Sequence, residues 1–185
     1  MLSMIAPYYR FPRMRAPIRS RMRSLIRSRV RSLVPTRFSI VLMTWQDARP
    51  LARAVREEVF IVEQGVAREL EWDHWDEPSD HAVALDADSN AIGTARLLPQ
   101  GRIGRMAVLR RWRRAGVGAA LLEALLQRAR ERGLRELVLH AQTHASGFYR
   151  QFGFRPRGGE FSEAGIPHLE MSLMLAPSEG PQARS

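Results

Sequence analysis

The sequence predicts an α+β domain in which helices flank a mixed, mainly antiparallel sheet. Two turn-forming stretches, residues 86–90 and 99–101, separate three short apolar segments, a pattern that predicts an antiparallel meander of three strands. The pattern then changes to that of one long amphipathic helix, followed by further strand-like segments. A group of neighbouring strands covered by helices is typical of the α+β class.

In the first half of the chain, apolar residues recur at helical spacing from Pro50 to Glu63, with arginines and glutamates on the opposite face. An acidic and aromatic loop follows at residues 69–78. The three strands of the meander are predicted at residues 81–85, 91–98 and 103–109.

In the second half, the long helix is predicted from Val117 to Arg132, and Gly133 is well placed to end it. A continuous apolar run predicts a buried strand from Leu134 to His140. The predicted order ends with a short helix at 146–151 and two strands at 152–155 and 168–175.

The composition is that of a soluble globular protein, since 45% of the 185 residues are hydrophobic and 26% are charged. Cysteine is absent, which excludes disulfides, a cysteine nucleophile and thiolate metal sites. Lysine is absent too, so all 29 basic residues are arginines.

The net positive charge belongs to the N-terminal segment. Residues 1–42 contain ten arginines and no acidic residue, which leaves nineteen arginines against nineteen acids in residues 43–185. We therefore expect a basic extension at 1–42 that is disordered or not translated, a folded domain at 43–176 and a disordered tail at 177–185. Because the folded domain is neutral, we expect it to bind no nucleic acid.

The extension also allows a second interpretation. Its apolar residues between 18 and 34 recur at helical spacing opposite arginines, as in a helix that lies on an anionic membrane or serves as an organelle presequence. No apolar run in it is long enough for a signal-peptide core or a membrane span. We expect a cytoplasmic protein.

A glycine loop, Arg113-Arg-Ala-Gly-Val-Gly118, lies between a predicted strand and the long helix. Such a loop lets the free amides of the first helical turn approach an anion, and phosphate is the obvious one. A Walker A loop is excluded because it needs lysine, and a dinucleotide fingerprint needs a small residue where Leu121 stands. The loop resembles the pyrophosphate loop of GNAT acyltransferases, Arg/Gln-x-x-Gly-x-Gly/Ala, at Arg113, Gly116 and Gly118, and a helix start packed tightly on a strand is the alternative explanation of its glycines.

Several further segments accompany this loop in order along residues 48–175. They are Arg56-Glu-Glu-Val-Phe-Ile-Val-Glu-Gln64, Ile103-Gly-Arg-Met-Ala-Val108, Leu139-His-Ala-Gln142, Gly147-Phe-Tyr-Arg-Gln-Phe-Gly-Phe154 and Gly165-Ile-Pro-His168. Together with the order of elements, they make the chain resemble the ElaA-type branch of the GNAT N-acetyltransferase superfamily.

This resemblance implies the GNAT fold, acetyl-CoA as the donor, and two central strands that splay apart to form a cofactor cleft, with residues 137–141 on the second strand. It implies that Val108 polarises the thioester carbonyl through its N–H. The first strand would offer main-chain groups to the pantetheine arm at Met106, Ala107 and Val108. The loop would hold the pyrophosphate with Arg113, Arg114, Ala115, Gly116, Val117, Gly118 and Ala119.

The resemblance also implies candidates for proton transfer. Tyr149 stands where the family usually has the tyrosine that protonates the leaving thiolate, although a purely aromatic packing role is the alternative. The acceptor amine must lose a proton, and the sequence does not choose among several lining residues or a water relay. The candidates for acceptor binding are Glu63, His140 and Gln142, and His144 and His168 are further possible bases.

An acidic cluster remains outside these motifs. Residues 73–81 contain three aspartates and two histidines, but their spacing fits neither a calcium loop nor a zinc pair, so we expect no metal. We expect a solvated acidic loop whose carboxylates attract a cationic amine, with Trp72 and Trp75 available for cation–π contacts.

The sequence therefore predicts a metal-independent N-acetyltransferase that moves an acetyl group from acetyl-CoA to a primary amine by direct attack in a ternary complex. The alternative is a non-catalytic acyl-CoA-binding sensor or interaction module with the same fold. The acceptor stays open between small amines and protein amino groups, because a fold does not assign a substrate. The resemblance makes a homodimer an expectation.

Overall fold

The computed structural model describes residues 38–176, which contain seven strands in one sheet and four α-helices. The helices are α1 (Trp45–Arg56), α2 (Arg68–Glu71), α3 (Val117–Glu131) and α4 (Ser146–Gln151). The strands are β1 (Phe38–Met43), β2 (Asp80–Asp86), β3 (Ala91–Leu97), β4 (Arg102–Val108), β5 (Glu136–Gln142), β6 (Arg155–Glu163) and β7 (Ile166–Met174).

The strand order in the sheet is β1-β2-β3-β4-β5-β7-β6. Every neighbouring pair is antiparallel except β4 with β5, which run parallel. The predicted α+β class, the mixed sheet and the antiparallel meander of β2, β3 and β4 are therefore confirmed. Among residues 38–176, no helix combines the length and apolarity needed to cross a lipid bilayer.

The described fold already includes residues 38–42, which were predicted to belong to the basic extension. Strand β1 pairs with β2 along its whole length, from Phe38 opposite Asp86 to Met43 opposite His81. This strand, Phe-Ser-Ile-Val-Leu-Met, carries no charge, so a boundary drawn from charge assigned it to the basic extension. The predictions for residues 1–37 and 177–185 fall outside the described part of the chain.

Helix α1 starts at Trp45 and keeps Pro50 in its interior, whereas the sequence predicted a start at the proline. Proline is common in the first helical turn because its missing N–H costs nothing there, which explains the misplaced start. The helix continues as a π-helical turn over Glu57–Glu63, and its buried side chains include Leu51 and Val55. The π-helical turn ends beside β4.

The end of the sheet formed by β6 and β7 differs from the prediction. Strand β6 covers Arg155–Glu163, and the predicted strand at 152–155 is mostly the turn that follows α4. In that turn, Phe152 donates its N–H to the Tyr149 carbonyl oxygen, and Gly153 has a φ of +89°. Strand β6 is largely exposed and rich in glycine and charge, so it lacks the apolar alternation that marks a strand.

Helix α3 packs its apolar face on the sheet, as predicted. Leu121, Leu122 and Leu125 are fully buried, and the helix approaches β3 so closely that a Cβ added at Gly93 would lie 3.0 Å from side-chain atoms of α3. This packing fixes the N-terminus of α3 next to the end of β4, where the glycine loop lies.

Strand β4 carries a β-bulge on its way to that loop. The register with β3 shifts between Thr94 and Arg96, and Arg105 of β4 takes a positive φ of 49°, which is uncommon for a residue with a side chain. The Arg105 guanidinium donates to the Leu70 and Glu71 carbonyl oxygens at 3.1 Å each, which ties the bulge to helix α2.

Candidate active site

The two central strands, β4 and β5, pair over two positions and then diverge. Arg102 lies opposite Val138 and Ile103 lies opposite Leu139, and no further pairs join the two strands. We call the space between the diverging strands the cleft. The resemblance implied a cleft at this point, with residues 137–141 on its second side, and these residues lie in β5.

The main-chain groups of Val108 face the cleft. Leu109 donates its N–H to the Ile92 carbonyl oxygen at 2.9 Å, and hydrogen-bonded and non-hydrogen-bonded pairs alternate along an antiparallel ladder. The neighbouring pair of Gly93 with Val108 is therefore not hydrogen-bonded, and the N–H and C=O of Val108 point away from β3. The Nε of Arg113 donates to the Val108 carbonyl oxygen at 3.0 Å, in agreement with this direction.

The glycine loop turns the first amides of α3 outward. Gly116, the N-cap, has a φ of +84°, a conformation that glycine adopts without strain. The first main-chain bond of the helix runs from the Ala120 N–H to the Gly116 carbonyl oxygen at 3.0 Å. The amides before it have no acceptor within the helix and can bind an anion, and they belong to Val117, Gly118 and Ala119.

Arg113 connects the loop to the π-helical turn. Its two terminal nitrogens each donate to one carboxylate oxygen of Glu63 at 2.6 Å, a bidentate pair. These hydrogen bonds lower the pKa of Glu63, so its carboxylate stays ionised. The Arg113 side chain therefore points to Glu63 and Val108, while its main chain forms part of the loop.

Two cavities of about 530 Å³ and about 460 Å³ open along the cleft. The larger cavity is lined by His140 and Tyr149 among others, and the smaller by Glu63 and Val108. The residues that line both cavities are Gln64, Met106, Gln142 and Ile166. Gln142 donates its side-chain N–H to Gln64 Oε1 at 3.1 Å, and this bond joins β5 to the end of the π-helical turn where the cavities meet.

Tyr149 of α4 reaches the same place from the other side. Its hydroxyl oxygen lies 3.6 Å from the Sδ atom of Met106, in the cleft wall formed by β4. Burial raises the pKa of Tyr149 to about 12, so the phenol keeps its proton at neutral pH and can act as a donor. The ring also packs edge-on against Phe148 at a centroid distance of 5.0 Å, so aromatic packing and proton donation are compatible.

His140 of β5 has a carboxylate partner that the sequence did not reveal. Its Nδ1 lies 2.6 Å from Glu163 Oε2, at the end of β6. Burial raises the pKa of Glu163, but the hydrogen bond from His140 and nearby positive charges outweigh this effect and lower it. In the sequence, the turn residues Ala164-Gly165 after β6 were the only indication of a hairpin that brings Glu163 back to the sheet.

The acidic loop is only partly solvated, whereas the sequence predicted a solvated loop. Three of its carboxylates form a cluster with three arginines from α1, β3 and β4, which we call the arginine–carboxylate cluster: Glu71, Asp73, Asp76, Arg56, Arg96 and Arg105. Arg56 is 1% exposed and binds Glu71 and Asp76. The charges in this cluster balance, so it offers little net attraction to a cationic amine.

Of the two tryptophans beside this cluster, Trp72 is already in contact with arginines. The guanidinium carbons of Arg53 and Arg56 lie 4.5 and 4.6 Å from the ring centroid of Trp72, so arginines of the chain itself use this cation–π surface. Trp75 is 38% exposed and lines the larger cavity, where it remains available for contact.

Two polar residues that follow the loop in β2 have protein partners as well. Asp80 binds Arg128 at 3.0 Å and Arg132 at 2.8 Å, and His81 bonds the Asp76 carbonyl oxygen at 2.8 Å. Within the part of the chain that the structure describes, no three histidine, aspartate or glutamate side chains are grouped so that they could hold a metal ion.

The predicted site residues thus fall into three groups. Met106, Ala107 and Val108 lie along the cleft in β4, and the loop from Arg113 to Ala119 lies at its end. His140, Gln142 and Tyr149 line the larger cavity, and Glu63 lines the smaller one. Sequence reasoning missed Glu163, Gln64 and the arginines of the arginine–carboxylate cluster.

Comparison with known proteins gives consistent results. The family model described as "Acetyltransferase (GNAT) domain" matches residues 46–175. The chain is 40% identical over 121 residues to the uncharacterized N-acetyltransferase YjcF of Bacillus subtilis (strain 168), a match that covers 63% of this chain and 86% of YjcF.

Two solved structures are also similar to this chain. The acyl-CoA N-acyltransferase from Pseudomonas aeruginosa has a TM-score of 0.65 and 28% identity, and ElaA from Escherichia coli has a TM-score of 0.66 and 25% identity. Each match covers 73% of this chain and 98% of the other.

Proposed function

The chain belongs to the GNAT acetyltransferase family, and we propose that it transfers an acetyl group from acetyl-CoA to a primary amine by direct attack in a ternary complex. One observation carries the proposal: the Val108 N–H is directed into a cleft that ends at the outward-facing amides of α3. An oxyanion donor and an anion site therefore lie at the same end of β4.

The donor would lie along this cleft. The amides of Val117, Gly118 and Ala119 would bind its pyrophosphate, helped by the positive end of the α3 dipole. The main chain of Met106 and Val108 would bind the amide groups of its pantetheine arm, because β5 has diverged and leaves this edge of β4 accessible.

The chemistry follows from the residues around the thioester. The amine nitrogen attacks the carbonyl carbon, and the Val108 N–H stabilises the oxyanion that forms, an effect usually worth about 3 kcal/mol. The C–S bond then breaks and its electrons go to sulfur. Tyr149 donates its phenolic proton to the thiolate, for which its hydroxyl near Met106 is suitably placed.

The first test is binding and turnover by the full chain. We expect acetyl-CoA to raise the melting temperature and to bind in calorimetry, and a panel of primary amines to release free thiol from acetyl-CoA. Binding without thiol release for any amine would favour the alternative, a non-catalytic acyl-CoA-binding module.

The second test separates the hydroxyl of Tyr149 from its ring. Tyr149→Phe should keep the affinity for CoA and lower kcat by about 10²-fold, a typical size for a lost proton donor. Phe152→Leu is the matched control, because Phe152 packs in the same aromatic group and has no proton to donate. Equal losses in both variants would mean that Tyr149 acts through packing alone.

We also propose that the protein works in the cytoplasm, needs no metal, binds no nucleic acid through its folded domain and forms a homodimer. Direct transfer needs an activated acyl group, a hydrogen-bond donor and proton carriers, all of which acetyl-CoA and the side chains above can supply. Thiol release in the presence of EDTA tests the metal claim, and light scattering tests the dimer.

A further inference from the structure

His140 and Glu163 form a hydrogen-bonded pair on the wall of the larger cavity. His140 Nδ1 lies 2.6 Å from Glu163 Oε2, while its Nε2 lies 3.6 Å from Glu170 Oε2, beyond hydrogen-bond distance. The Arg102 side chain lies 2.7 and 3.0 Å from the two ring nitrogens. Both distances are measured from the same atom, Arg102 Nη2. An atom that close to both ring nitrogens lies above the face of the ring, so it is outside the plane in which the ring nitrogens form hydrogen bonds.

This geometry selects one form of the imidazole. A carboxylate with a lowered pKa is an acceptor only, so Nδ1 must carry the hydrogen that bonds Glu163. The neutral ring then has its lone pair on Nε2. A carboxylate that holds a histidine in this form, and stabilises the imidazolium formed on proton uptake, is the arrangement that makes histidine an effective general base.

The other candidate bases are less suited to the task. Both carboxylate oxygens of Glu63 bind Arg113, which lowers the pKa of Glu63 and weakens it as a base. His168 has its Nδ1 bonded to the Ile166 carbonyl oxygen at 2.8 Å, so its partner is neutral and cannot stabilise an imidazolium by charge.

We propose that His140 is the general base of the transfer and that Glu163 is its positioning residue, an inference that rests on the proposed function. Nε2 of His140 takes one proton from the ammonium form of the acceptor, which frees the nitrogen lone pair to form the C–N bond. The imidazolium later releases that proton to solvent. When the C–S bond breaks, Tyr149 gives its proton to the thiolate, and the second nitrogen proton passes through water to Tyr149 and restores the phenol.

The first readout needs no acceptor. In the full chain with ¹⁵N-labelled histidine, two-bond ¹H–¹⁵N spectra should show neutral His140 protonated on Nδ1, with the signal identified by its loss in His140→Gln. In Glu163→Gln the ring-nitrogen signals of neutral His140 should move, because Nδ1 loses its charged acceptor while Arg102 and Glu170 remain. An Nε2-protonated ring in the wild type, or an unchanged His140 spectrum in Glu163→Gln, would overturn the proposal.

The second readout is kinetic. His140→Gln should lower kcat/KM by about 10²-fold or more with an unchanged affinity for CoA. Glu163→Gln should lower kcat/KM about tenfold at neutral pH with an unchanged affinity for CoA, because the imidazolium has lost its stabilising charge. Glu160→Gln is the matched control: this glutamate lies on the same strand, bonds the Thr143 hydroxyl at 2.8 Å and lines neither cavity.

The outcomes separate this inference from the function on which it rests. Wild-type protein that releases no thiol with any amine would overturn the proposed function and the base assignment with it. Wild-type protein that turns over, together with His140→Gln and Glu163→Gln variants of normal rate, would overturn the base assignment alone.

Discussion

Replacing Arg56 by methionine tests whether the arginine–carboxylate cluster stabilises the fold as a unit. The Arg56 guanidinium is 1% exposed and bonds the side chains of Glu71 and Asp76 and the Glu71 carbonyl oxygen. Methionine fills much of the same volume without charge, so two buried carboxylates would lose a partner.

The expected loss is large. Removing one member of a buried ion pair costs about 3–5 kcal/mol, because the remaining charge stays buried without compensation. For a domain of this size, at roughly 3–4 °C per kcal/mol, Arg56→Met should lower Tm by about 10–20 °C. Thermal and urea unfolding followed by circular dichroism measure both quantities.

Arg53→Met is the matched control. Arg53 stacks on the same Trp72 ring at 4.5 Å, and the described contacts give it no carboxylate partner. Its loss should cost about 0.5–1 kcal/mol, the size of a single cation–π contact. Equal destabilisation by the two substitutions would refute the idea that pairing of buried charges governs the stability here.

The pH dependence gives an independent check. Burial raises the pKa of Glu71 even with Arg56 and Arg105 opposing that shift, so Arg56→Met should raise it further. A carboxyl group whose pKa is raised by folding binds its proton more tightly in the folded state, and it therefore stabilises the fold as the pH falls through that pKa. The difference in unfolding free energy between wild type and Arg56→Met should shrink as the pH is lowered.

Three further predictions concern other parts of the molecule. A chain that starts at residue 36 should fold and bind CoA like the full chain. A chain that starts at residue 43 loses most of β1 and with it three half-buried apolar side chains that pack against the core, which should cost about 3 kcal/mol in unfolding free energy. Gly93→Val should destabilise the protein by about 1–3 kcal/mol in urea unfolding through overpacking against α3, whereas Gly159→Ala, with open space around it, should have little effect. Because the pKa of Tyr149 is about 12, kcat should show no basic limb from this phenol below about pH 10, and a limb near pH 9 that disappears in Tyr149→Phe would contradict the assignment.

The parts of the fold that local pattern determines were predictable. Helix α3 has a strong apolar stripe and a glycine before its first turn, so the position of the helix and of the glycine loop follows from spacing alone. Strands β2, β3 and β4 are short, apolar and separated by turns, which defines a meander.

Tertiary contacts determine the parts that were missed. The aspartates of the acidic loop lie close together in the sequence, but their partners Arg56, Arg96 and Arg105 come from three other elements, so spacing showed an acidic stretch where folding produces a neutral cluster. Strand β6 has no apolar face, so its sequence lacks the alternation of apolar and polar residues by which a strand is recognised. Glu163 reaches His140 only because the β6–β7 hairpin folds back along β5.

A chain without lysine has no side-chain primary amine that the proposed reaction could acetylate. The cations that line the larger cavity, Arg96, Arg102 and Arg105, are guanidinium groups, which remain protonated at physiological pH and are poor nucleophiles. In the proposed reaction, a lysine at any of these positions would place a primary amine in the acceptor cavity, where it would compete with the acceptor for the acetyl group. Arginine supplies the same charge and more hydrogen-bond donors, so no side-chain amine of this chain would take up label from radioactive donor.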